Sequence, residues 1–428
     1  MFYEQLRLIR KASGKTQKEL AEYLQISAQS VSKWEKGESL PTLEYLPLIA
    51  KFFGCSVNAF FTDIEEGTRD KLNNDIDEIR DVLDIEDRIN CALRHFKINA
   101  EVKKIHYGIR ILTFVVEMYE GVGISDINKR AKDIIHQIGE DNITFNTTEY
   151  KNNTFAIQIP KKKFDAIPLD IALNSQEYLS SACKVPIIIG YDSNDNLIID
   201  DLTRLPHLIV GGCTGSGKSV FLSNLISCIV SKFSPEEVKL LISDLKMCEF
   251  TYAEHLPHLY GDILTSCQDT VAAMKSVVEM MNIRYTKLEE SGLRNINEYN
   301  KSSGEIMSRL IVIIDDLADV MLQNRAIEEL LMRIAQKGRA VGIHLILVSQ
   351  RSSVNVFTGV LKANIPSRAL LRVETTQESK VILDEAGAEN LALHGDMLYS
   401  SIMTECKPIR VQLPYINELS IINLVKQY

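Results

Sequence analysis

The residues best suited to chemistry lie near the middle of the chain, in the run HLIVGGCTGSGKSVFLSNLI from residue 207 to 226. This run contains the pattern G-x-x-x-x-G-K-S, between an apolar stretch and an amphipathic one. Glycines let backbone N–H groups converge on phosphate oxygens, in a conformation that is closed to bulky residues. We therefore predict a nucleoside triphosphate site formed by Gly212, Cys213, Thr214, Gly215, Ser216, Gly217, Lys218, Ser219 and Val220.

Two of these residues carry the groups that act on the phosphates. Lys218 would bring positive charge to the β- and γ-phosphates, and the Ser219 hydroxyl would bind Mg²⁺ at the start of the following helix. A later apolar run, RLIVIIDD, ends at Asp315 and would deliver this carboxylate to the same end of the sheet. We predict ATP and Mg²⁺ as cofactors, with Ser219 and Asp315 holding the metal ion.

Asp316 and Gln350 are the other two candidates for hydrolysis in this segment. Gln350 follows the run LILVS and is predicted to lie beside the γ-phosphate. Asp316 stands where hydrolysing motors commonly have a glutamate that polarises water, and it is one methylene shorter. Because such a carboxylate must come within hydrogen-bond reach of the water, we expect either a small local shift or slower hydrolysis. A slow or binding-only ATPase is the alternative.

The elements that position these residues follow from the apolar pattern. Five short β-branched runs alternate with helical stretches, which predicts a mainly parallel sheet with crossover helices. These runs are HLIVGG, VKLLISD, RLIVIIDD, GIHLILVSQ and SRALLRV. The first run leads directly into the phosphate loop, which gives the strand-loop-helix context that the motif requires.

The first sixty residues have a different, helical periodicity. Thr16 and Glu19 have the spacing of a capping box, and Ser27 is positioned to begin a second short helix. Leu20, Ala21 and Leu24 would share one buried face, and Trp34 is predicted to pack in the core. The pattern indicates an all-α domain with five helices.

Composition is typical of a globular protein, with 428 residues, 45% hydrophobic and 25% charged. The net charge of -9 comes mostly from residues 63 to 88, which contain eleven acidic and four basic residues. A basic, DNA-binding surface elsewhere is therefore compatible with the composition. We find no apolar stretch of membrane-spanning length and no C-x-x-C pair among the 8 cysteines, and we expect a cytoplasmic protein with reduced thiols.

Between the two ends lies a segment without a cluster of catalytic residue types. A helix, two strands, a second helix and a further strand are predicted for it, which makes a small α+β domain. Apolar residues at heptad-like spacing within the acidic segment allow either a dimer-forming helix or a solvated helical arm. We expect four parts: a helical domain (1–62), an acidic helical linker (63–90), the α+β domain (91–184) and the P-loop domain (185–428).

The run TQKELAEYLQISAQSVSKWEKGESLP resembles the helix-turn-helix domain of the phage-repressor (XRE-type) family. The resemblance implies that residues 28 to 36 form a helix that enters the DNA major groove. It implies DNA contacts by Gln17, Ala28, Gln29, Ser30, Ser32 and Lys33, of which Gln17 would meet a phosphate. A helical domain kept for protein contacts is the alternative.

Residues 185 to 413 resemble the FtsK/SpoIIIE DNA translocases, with ordered matches that include LPHLIVGGCTGSGKSV, LISDLKMCEF, IIDDLADVM and ILDEAGAENLALHGDMLY. This implies a RecA-like motor that forms a hexameric ring around double-stranded DNA, with ATP between neighbouring subunits. It also implies an arginine finger, for which Arg368 is the first candidate and Arg339 the second. Basic residues would grip DNA in the pore, with candidates Arg294, Lys301 and Arg351.

This sequence departs from the family pattern at three places. One is Asp316, and another is Ser352, which stands where the family usually has proline. The third concerns domain content, since we expect neither an N-terminal membrane anchor nor a C-terminal winged-helix domain. From this arrangement we expect a translocase recruited to specific DNA by its helix-turn-helix domain, as in conjugative or mobile-element transfer. A relaxase or membrane-channel protein would then be its partner.

Two other functions fit the same sequence. One is a transcriptional regulator whose nucleotide-bound ring only oligomerises at an operator. The other is an ATPase associated with plasmid partition or replication. DNA-stimulated ATP hydrolysis separates the motor from the regulator.

Overall fold

A computed structural model of the chain describes residues 2–24, 26–37, 39, 41, 45–55, 60, 67–108, 110–140, 142–146, 153–161, 166–350, 353–417 and 420–421. For residues 4, 46, 47 and 67–80 it describes the backbone alone. The chain divides into two compact units, residues 1–102 with 117–139 and residues 103–116 with 140–428. Among the helices that the structure describes, none is both long enough and apolar enough to cross a bilayer.

The first unit begins with four short helices: α1 (Phe2–Ala12), α2 (Gln17–Tyr23), α3 (Ala28–Lys36) and α4 (Tyr45–Phe53). The predicted capping box is present, because Thr16 and Glu19 exchange side-chain and backbone hydrogen bonds. Leu20, Ala21 and Leu24 are buried together as expected. Trp34 is 6% exposed and packs on Tyr45, which confirms its predicted place in the core. The stretch predicted as a fifth helix lies largely outside the described residues.

Two longer helices follow, α5 (Gly67–His95) and α6 (Ile124–Ile138). α5 contains most of the acidic segment and continues past residue 90, so the linker and the start of the α+β segment form one helix. Of the heptad-like apolar residues, Ile85 is buried and Leu83 is 54% exposed. The side chains of Leu72, Ile76 and Ile79 lie outside the described part, so the choice between a dimer stripe and a solvated arm remains a prediction.

Four strands form a small sheet in the order β1-β2-β4-β3. Their bounds are β1 (Ala100–Tyr107), β2 (Ile111–Met118), β3 (Thr144–Asn146) and β4 (Thr154–Pro160). The sequence predicted β1, β2 and β4, and the structure adds β3, which pairs antiparallel with β4. A three-residue strand is too short to produce a recognisable alternation in the sequence.

A nine-stranded sheet forms the centre of the second unit, in the order β6-β5-β13-β12-β11-β7-β10-β9-β8. Its strands are β5 (Pro186–Asp192), β6 (Leu197–Asp201), β7 (His207–Gly211), β8 (Val238–Asp244), β9 (Arg309–Asp315), β10 (Ile343–Ser349), β11 (Ser367–Leu371), β12 (Asp396–Ser400) and β13 (Ile409–Gln412). The five predicted runs are β7 to β11, and neighbouring strands among them pair in parallel. The P-loop therefore follows a strand of a parallel array, as predicted.

Antiparallel strands continue the sheet beyond β11. These four strands were not predicted individually, because the parallel runs have the stronger apolar signal. Two of the pairings are between consecutive strands, but that of β13 with β5 joins segments far apart in the chain. Nothing in the local sequence specifies such a pairing.

Helices cover both faces of this sheet. They are α7 (Leu169–Leu173), α8 (Gln176–Leu179), α9 (Lys218–Val230), α10 (Cys267–Glu290), α11 (Ile296–Ser302), α12 (Leu317–Gln323), α13 (Ile327–Lys337), α14 (Gly359–Asn364) and α15 (Thr376–Leu383). Successive residues of β9 face opposite cores: Val312 and Ile314 join the core with α10 and α13, whereas Ile311 and Ile313 join the core with α9. A strand buried on both sides explains why its sequence is continuously apolar.

Candidate functional site: a nucleotide cavity at the carboxyl ends of the parallel strands

The phosphate loop connects β7 to α9 and depends on its glycines. Gly212 has φ +152° and Gly217 has φ +116°, which are values that residues with a side chain rarely adopt. A Cβ on Gly217 would also lie 2.9 Å from the backbone nitrogen of Gly395. The Gly395 N–H donates to the Ser216 carbonyl at 2.7 Å, so residues 394 and 395 lie directly against the loop.

The Lys218 ammonium lies within the loop, where it donates to the carbonyls of Gly212 and Cys213, each at 2.8 Å. Burial lowers the pKa of Lys218, while the nearby carboxylates, including Asp315, favour its charged form. The loop thus presents a buried positive charge beside backbone N–H groups, which suits a polyphosphate.

A cavity of about 430 Å³ opens in front of the loop. Most of the predicted site residues line it: Thr214, Gly215, Gly217, Lys218, Ser219, Val220, Asp315 and Gln350. Gly212, Cys213 and Ser216 complete the loop behind this lining. Residues that are more than one hundred positions apart in the sequence thus meet in one cavity, because β7, β9 and β10 are parallel and end at the same edge of the sheet.

The predicted metal ligands fit a hard divalent cation. The Ser219 hydroxyl and the Asp315 carboxylate both line the cavity, and oxygen is the donor that Mg²⁺ prefers. Burial, followed by the charges of neighbouring Glu249, Asp244 and Asp316, raises the pKa of Asp315 to about 6. Carboxylates that lie close together repel one another, and a bound cation relieves that repulsion.

Asp316 is oriented differently from Asp315. It has φ +54° at the start of α12, and its carboxylate forms a hydrogen-bonded ion pair with Lys246. That hydrogen bond raises the pKa of Lys246. Within the described part of the chain, Asp316 is not among the residues lining the cavity. Its role in hydrolysis stays a prediction.

The predicted DNA-binding residues of the first unit differ in how far they are exposed to solvent. Along α3, Ala28, Gln29 and Lys33 are exposed, and Ser30 and Ser32 are partly buried. The Ser30 and Ser27 hydroxyls lie 2.9 Å apart within the N-terminal turn of the helix. The Gln17 amide donates to Glu35 at 2.6 Å, so in this conformation it is engaged inside the domain. Contact of these six residues with DNA stays a prediction.

Known families match three consecutive parts of the chain. The helix-turn-helix family matches residues 6–60, the FtsK alpha domain matches residues 67–161 and the FtsK/SpoIIIE family matches residues 169–354. The last match contains the P-loop, Asp315 and Gln350. The chain belongs to the FtsK/SpoIIIE family.

Curated relatives of this FtsK/SpoIIIE chain are named as translocases. It is 34% identical over 362 residues to the DNA translocase FtsK of Caldanaerobacter subterraneus subsp. tengcongensis, across 83% of this chain and 50% of the relative. It is 35% identical over 356 residues to the DNA translocase SftA of Bacillus subtilis, across 82% of this chain and 37% of the relative. The chain therefore spans between about a third and a half of these relatives.

Solved structures support the fold of the FtsK/SpoIIIE motor. The conjugation coupling protein TcpA of pCW3, in its monomer form with ATPγS, has a TM-score of 0.56 at 24% identity, covering 80% of this chain and 99% of TcpA. The cytoplasmic domain of the Type VII secretion ATPase EccC from Thermomonospora curvata has a TM-score of 0.51 at 24% identity, covering 57% of this chain and 30% of EccC. Both likenesses concern the P-loop ATPase fold.

The arginine candidates of this FtsK/SpoIIIE chain differ in their surroundings. Arg368 donates to the Ile382 carbonyl at 2.6 Å and forms an ion pair with Asp384, whereas Arg339 is exposed. An arginine finger acts on the nucleotide of a neighbouring subunit, so its assignment stays a prediction. Of the predicted pore residues, Arg294 and Lys301 are exposed. Arg351 lies outside the described residues, as does Ser352.

Several residues that line the cavity were not predicted from the sequence. They include Glu249, His394 and the segment from Gln412 to Tyr415, all remote from the P-loop in sequence. The buried Arg110 donates to the carbonyl of Leu393 and, at 2.8 Å, to that of His394. Glu249 follows the run VKLLISD by five residues. Because Glu249 follows a strand of the parallel array, it could have been considered as a site residue. An irregular turn separates it from the strand, however, so the sequence does not predict where its side chain lies.

Proposed function

We propose that this chain is an ATP-driven DNA translocase that its helix-turn-helix domain recruits to particular DNA sites. The observation that carries the proposal is the convergence of Lys218, Ser219, Asp315 and Gln350 on one cavity. Such a cavity has the parts that a P-loop motor needs to bind and hydrolyse ATP. The names of the curated relatives favour DNA as the track on which the motor works.

In this mechanism the loop binds the phosphates before any chemistry takes place. Backbone N–H groups hold the phosphate oxygens, and Lys218 turns from the loop carbonyls toward the β- and γ-phosphates. Ser219 and Asp315 would hold Mg²⁺, which would neutralise charge on the phosphates. Gln350 is positioned at the end of β10 to report the state of the γ-phosphate. An arginine from a neighbouring subunit, with Arg368 as first candidate, completes the site.

We infer two modes of DNA contact. The outward residues of α3, led by Gln29 and Lys33, read a site in the major groove. The motor holds double-stranded DNA through phosphate contacts in the pore of a hexameric ring, without reading sequence. The first mode selects where the motor starts, and the second supports movement.

Conjugative or mobile-element DNA transfer is the setting that we propose for this motor. Such an element must recognise its own DNA and then move it, and this chain combines a DNA-reading domain with a translocase motor. The structural likeness to a conjugation coupling protein agrees with this setting at the level of fold. We propose that the chain works in the cytoplasm, where a relaxase or membrane-channel partner brings it to the membrane.

ATP hydrolysis by the full chain, measured with and without linear double-stranded DNA, tests the proposal. We expect DNA to stimulate hydrolysis and Lys218→Ala to reduce it by about 100-fold or more, because a key charge on the phosphates is lost. Displacement of a third strand from a triplex would report translocation. Operator binding without any DNA-stimulated hydrolysis would contradict the motor and favour the oligomeric regulator.

Substitutions in α3 test whether site recognition and DNA-stimulated hydrolysis belong to separate domains. Gln29→Ala with Lys33→Ala should remove the preference for a specific DNA fragment, at about 1–3 kcal/mol for each base-reading side chain. Hydrolysis stimulated by non-specific DNA should stay unchanged. A joint loss of site preference and of non-specific stimulation would contradict separate roles for the two domains.

A further inference from the structure

An aspartate at the end of β8 organises the turn that follows it. Asp244 is 2% exposed, and its carboxylate accepts four backbone N–H groups, from Lys246 (3.1 Å), Met247 (3.0 Å), Cys248 (3.1 Å) and Glu249 (3.0 Å). Met247 has φ +54°, a left-handed conformation that the turn requires. A turn held by four hydrogen bonds to one buried carboxylate fixes the directions of its side chains.

The turn places a basic and an acidic side chain, Lys246 and Glu249, in different surroundings. Lys246 binds Asp316, whereas Glu249 lines the nucleotide cavity together with Lys218, Asp315 and Gln350. The register of β8 and β9 explains the arrangement, because it sets Asp244 opposite Asp315 at the carboxyl ends of the strands. The turn after β8 therefore meets the beginning of α12.

The electrostatic surroundings agree with this geometry. After burial, which is the larger effect, the charge of Glu249 raises the pKa of Asp315. The same charge favours the protonated form of Lys218 against the burial that lowers its pKa. Glu249 is therefore close enough to act on both groups that surround the phosphates.

We propose that Glu249 activates the attacking water in this chain, and that Asp316 positions the turn through Lys246. The inference rests on the proposed ATPase function. The water oxygen forms a bond to the γ-phosphorus as the bond to the β–γ bridging oxygen breaks, and ADP leaves with that electron pair. Glu249 accepts the water proton and then passes it to the released phosphate, so the carboxylate is regenerated.

The other carboxylates near the cavity have different tasks. Asp244 uses its oxygens to hold the turn, and Asp315 is the carboxylate assigned to Mg²⁺. Asp316 is one methylene shorter than glutamate and is paired with Lys246. Glu249 has a longer side chain than Asp316 and lines the cavity. Its carboxylate can therefore approach the attacking water, whereas that of Asp316 is held by Lys246.

Charge-removing substitutions of nearly identical shape separate these roles. Glu249→Gln, Asp316→Asn and the control Glu254→Gln would be compared in the full chain with linear double-stranded DNA. Glu254 is exposed, lies five residues further along and does not line the nucleotide cavity within the described residues. Single-turnover ATP hydrolysis measures the chemical step, and titration with a fluorescent ATP analogue measures binding.

We expect Glu249→Gln to slow single-turnover hydrolysis by about 100-fold or more, with analogue affinity changed by less than about threefold. Asp316→Asn should slow hydrolysis by less than about tenfold, and Glu254→Gln should match the wild type. Lys246→Met should reproduce the effect of Asp316→Asn, and the double variant should be no slower than either, because one ion pair is removed in each case. Partial recovery by Glu249→Asp relative to Glu249→Gln would support the need for a carboxylate.

The opposite ranking would overturn the inference: near wild-type hydrolysis by Glu249→Gln together with a 100-fold loss in Asp316→Asn. A Glu249→Gln variant that loses analogue binding as severely as hydrolysis would also contradict it, since that indicates a binding role. Failure of the proposed function is a separate result, because the wild-type chain would then show no DNA-stimulated hydrolysis.

Discussion

The helix-turn-helix domain and the P-loop domain (185–428), which we call the motor after its proposed function, place their functional residues in opposite ways. The candidate DNA-reading residues of α3 all lie on one helix of nine residues, and Ala28, Gln29 and Lys33 among them are exposed. The nucleotide cavity gathers Lys218, Glu249, Asp315 and Gln350 from four separate parts of the sequence. One site is a surface of a single helix, and the other exists only when several strands are in register.

The two regions also bury different polar groups. The small domain buries Glu35 against Arg10 and Gln17, which lie on neighbouring helices. The motor buries the Arg410–Asp396 ion pair and two histidines in strands of its central sheet. We therefore expect the motor to lose more stability than the small domain when a buried charge is removed, and to begin losing it at a higher pH when acid is added.

Breaking the ion pair between Arg410 on β13 and Asp396 on β12 should lower the free energy of unfolding more than the other substitutions below. Their side chains are 2% and 0% exposed and are joined by two hydrogen bonds of 2.9 and 2.6 Å. Asp396→Ala leaves the Arg410 charge buried without its carboxylate, which should cost about 3–5 kcal/mol. Urea unfolding followed by circular dichroism would measure this loss.

Trp34 provides the matching control for that experiment. It is the single tryptophan of the chain and lies in the helix-turn-helix core, so its fluorescence follows the small domain alone. The Trp34 transition should be unchanged in Asp396→Ala. If both transitions moved together, the proposed contrast between the regions would be lost.

Acid should destabilise the motor at a higher pH than the small domain. Burial lowers the pKa of His207 to about 3 and that of His344 to about 4, both from 6.5. His207 is neutral in a fixed tautomer, since it accepts from the Leu345 N–H at 2.9 Å and contacts the Ala335 carbonyl at 3.1 Å. Stability from these groups is fully present above pH 6.5 and is lost as the pH falls toward their folded values.

Each histidine then removes about 1.4 kcal/mol of unfolding free energy per pH unit. Urea midpoints followed by circular dichroism at pH 7.5 and 5.5 would check this. His207→Gln should remove one histidine's share of the slope, while the exposed His255→Gln should leave it unchanged. Equal slopes in all three proteins would rule out this source of acid sensitivity.

The small domain should lose stability at a lower pH than the motor, when Glu35 becomes protonated. Burial opposes ionisation of Glu35, but hydrogen bonds from Arg10 and Gln17 outweigh it and lower its pKa below 4.5. Its contribution is therefore present above pH 4.5 and is lost as the pH falls through the lowered value. Glu35→Gln should cost the domain about 1–3 kcal/mol at pH 7, measured by Trp34 fluorescence in urea. An unchanged midpoint would show that this network is not stabilising.

Loss of the capping box of α2 should lower the free energy of unfolding of the small domain least. Thr16→Ala removes the side-chain acceptor of the Glu19 N–H, which should cost about 1 kcal/mol. The Trp34 transition would shift by that amount, while motor unfolding and DNA-stimulated hydrolysis would stay constant. Thr16→Ser keeps the hydroxyl and serves as the matched control; an equal loss in both variants would exclude the cap as the cause.

Much of the fold could be predicted because its signals are short-range. The capping box at Thr16, the buried Trp34 and the five apolar runs that became β7 to β11 each depend on residues a few positions apart. The strands β5, β6, β12 and β13 were harder, since they are short and the pairing of β13 with β5 joins distant segments. Length and alternation in such short strands do not specify a partner.

The P-loop could be predicted from local sequence alone, since its glycines, Lys218 and Ser219 act within eight consecutive residues. Asp315 and Gln350 could be placed at the ends of strands, and parallel strands share an edge. That Glu249 enters the cavity while Asp316 binds Lys246 follows from the fold and could not be predicted. The reason is physical: those directions depend on the register of β8 against β9 and on a turn fixed by buried Asp244, and neither follows from local residue preferences.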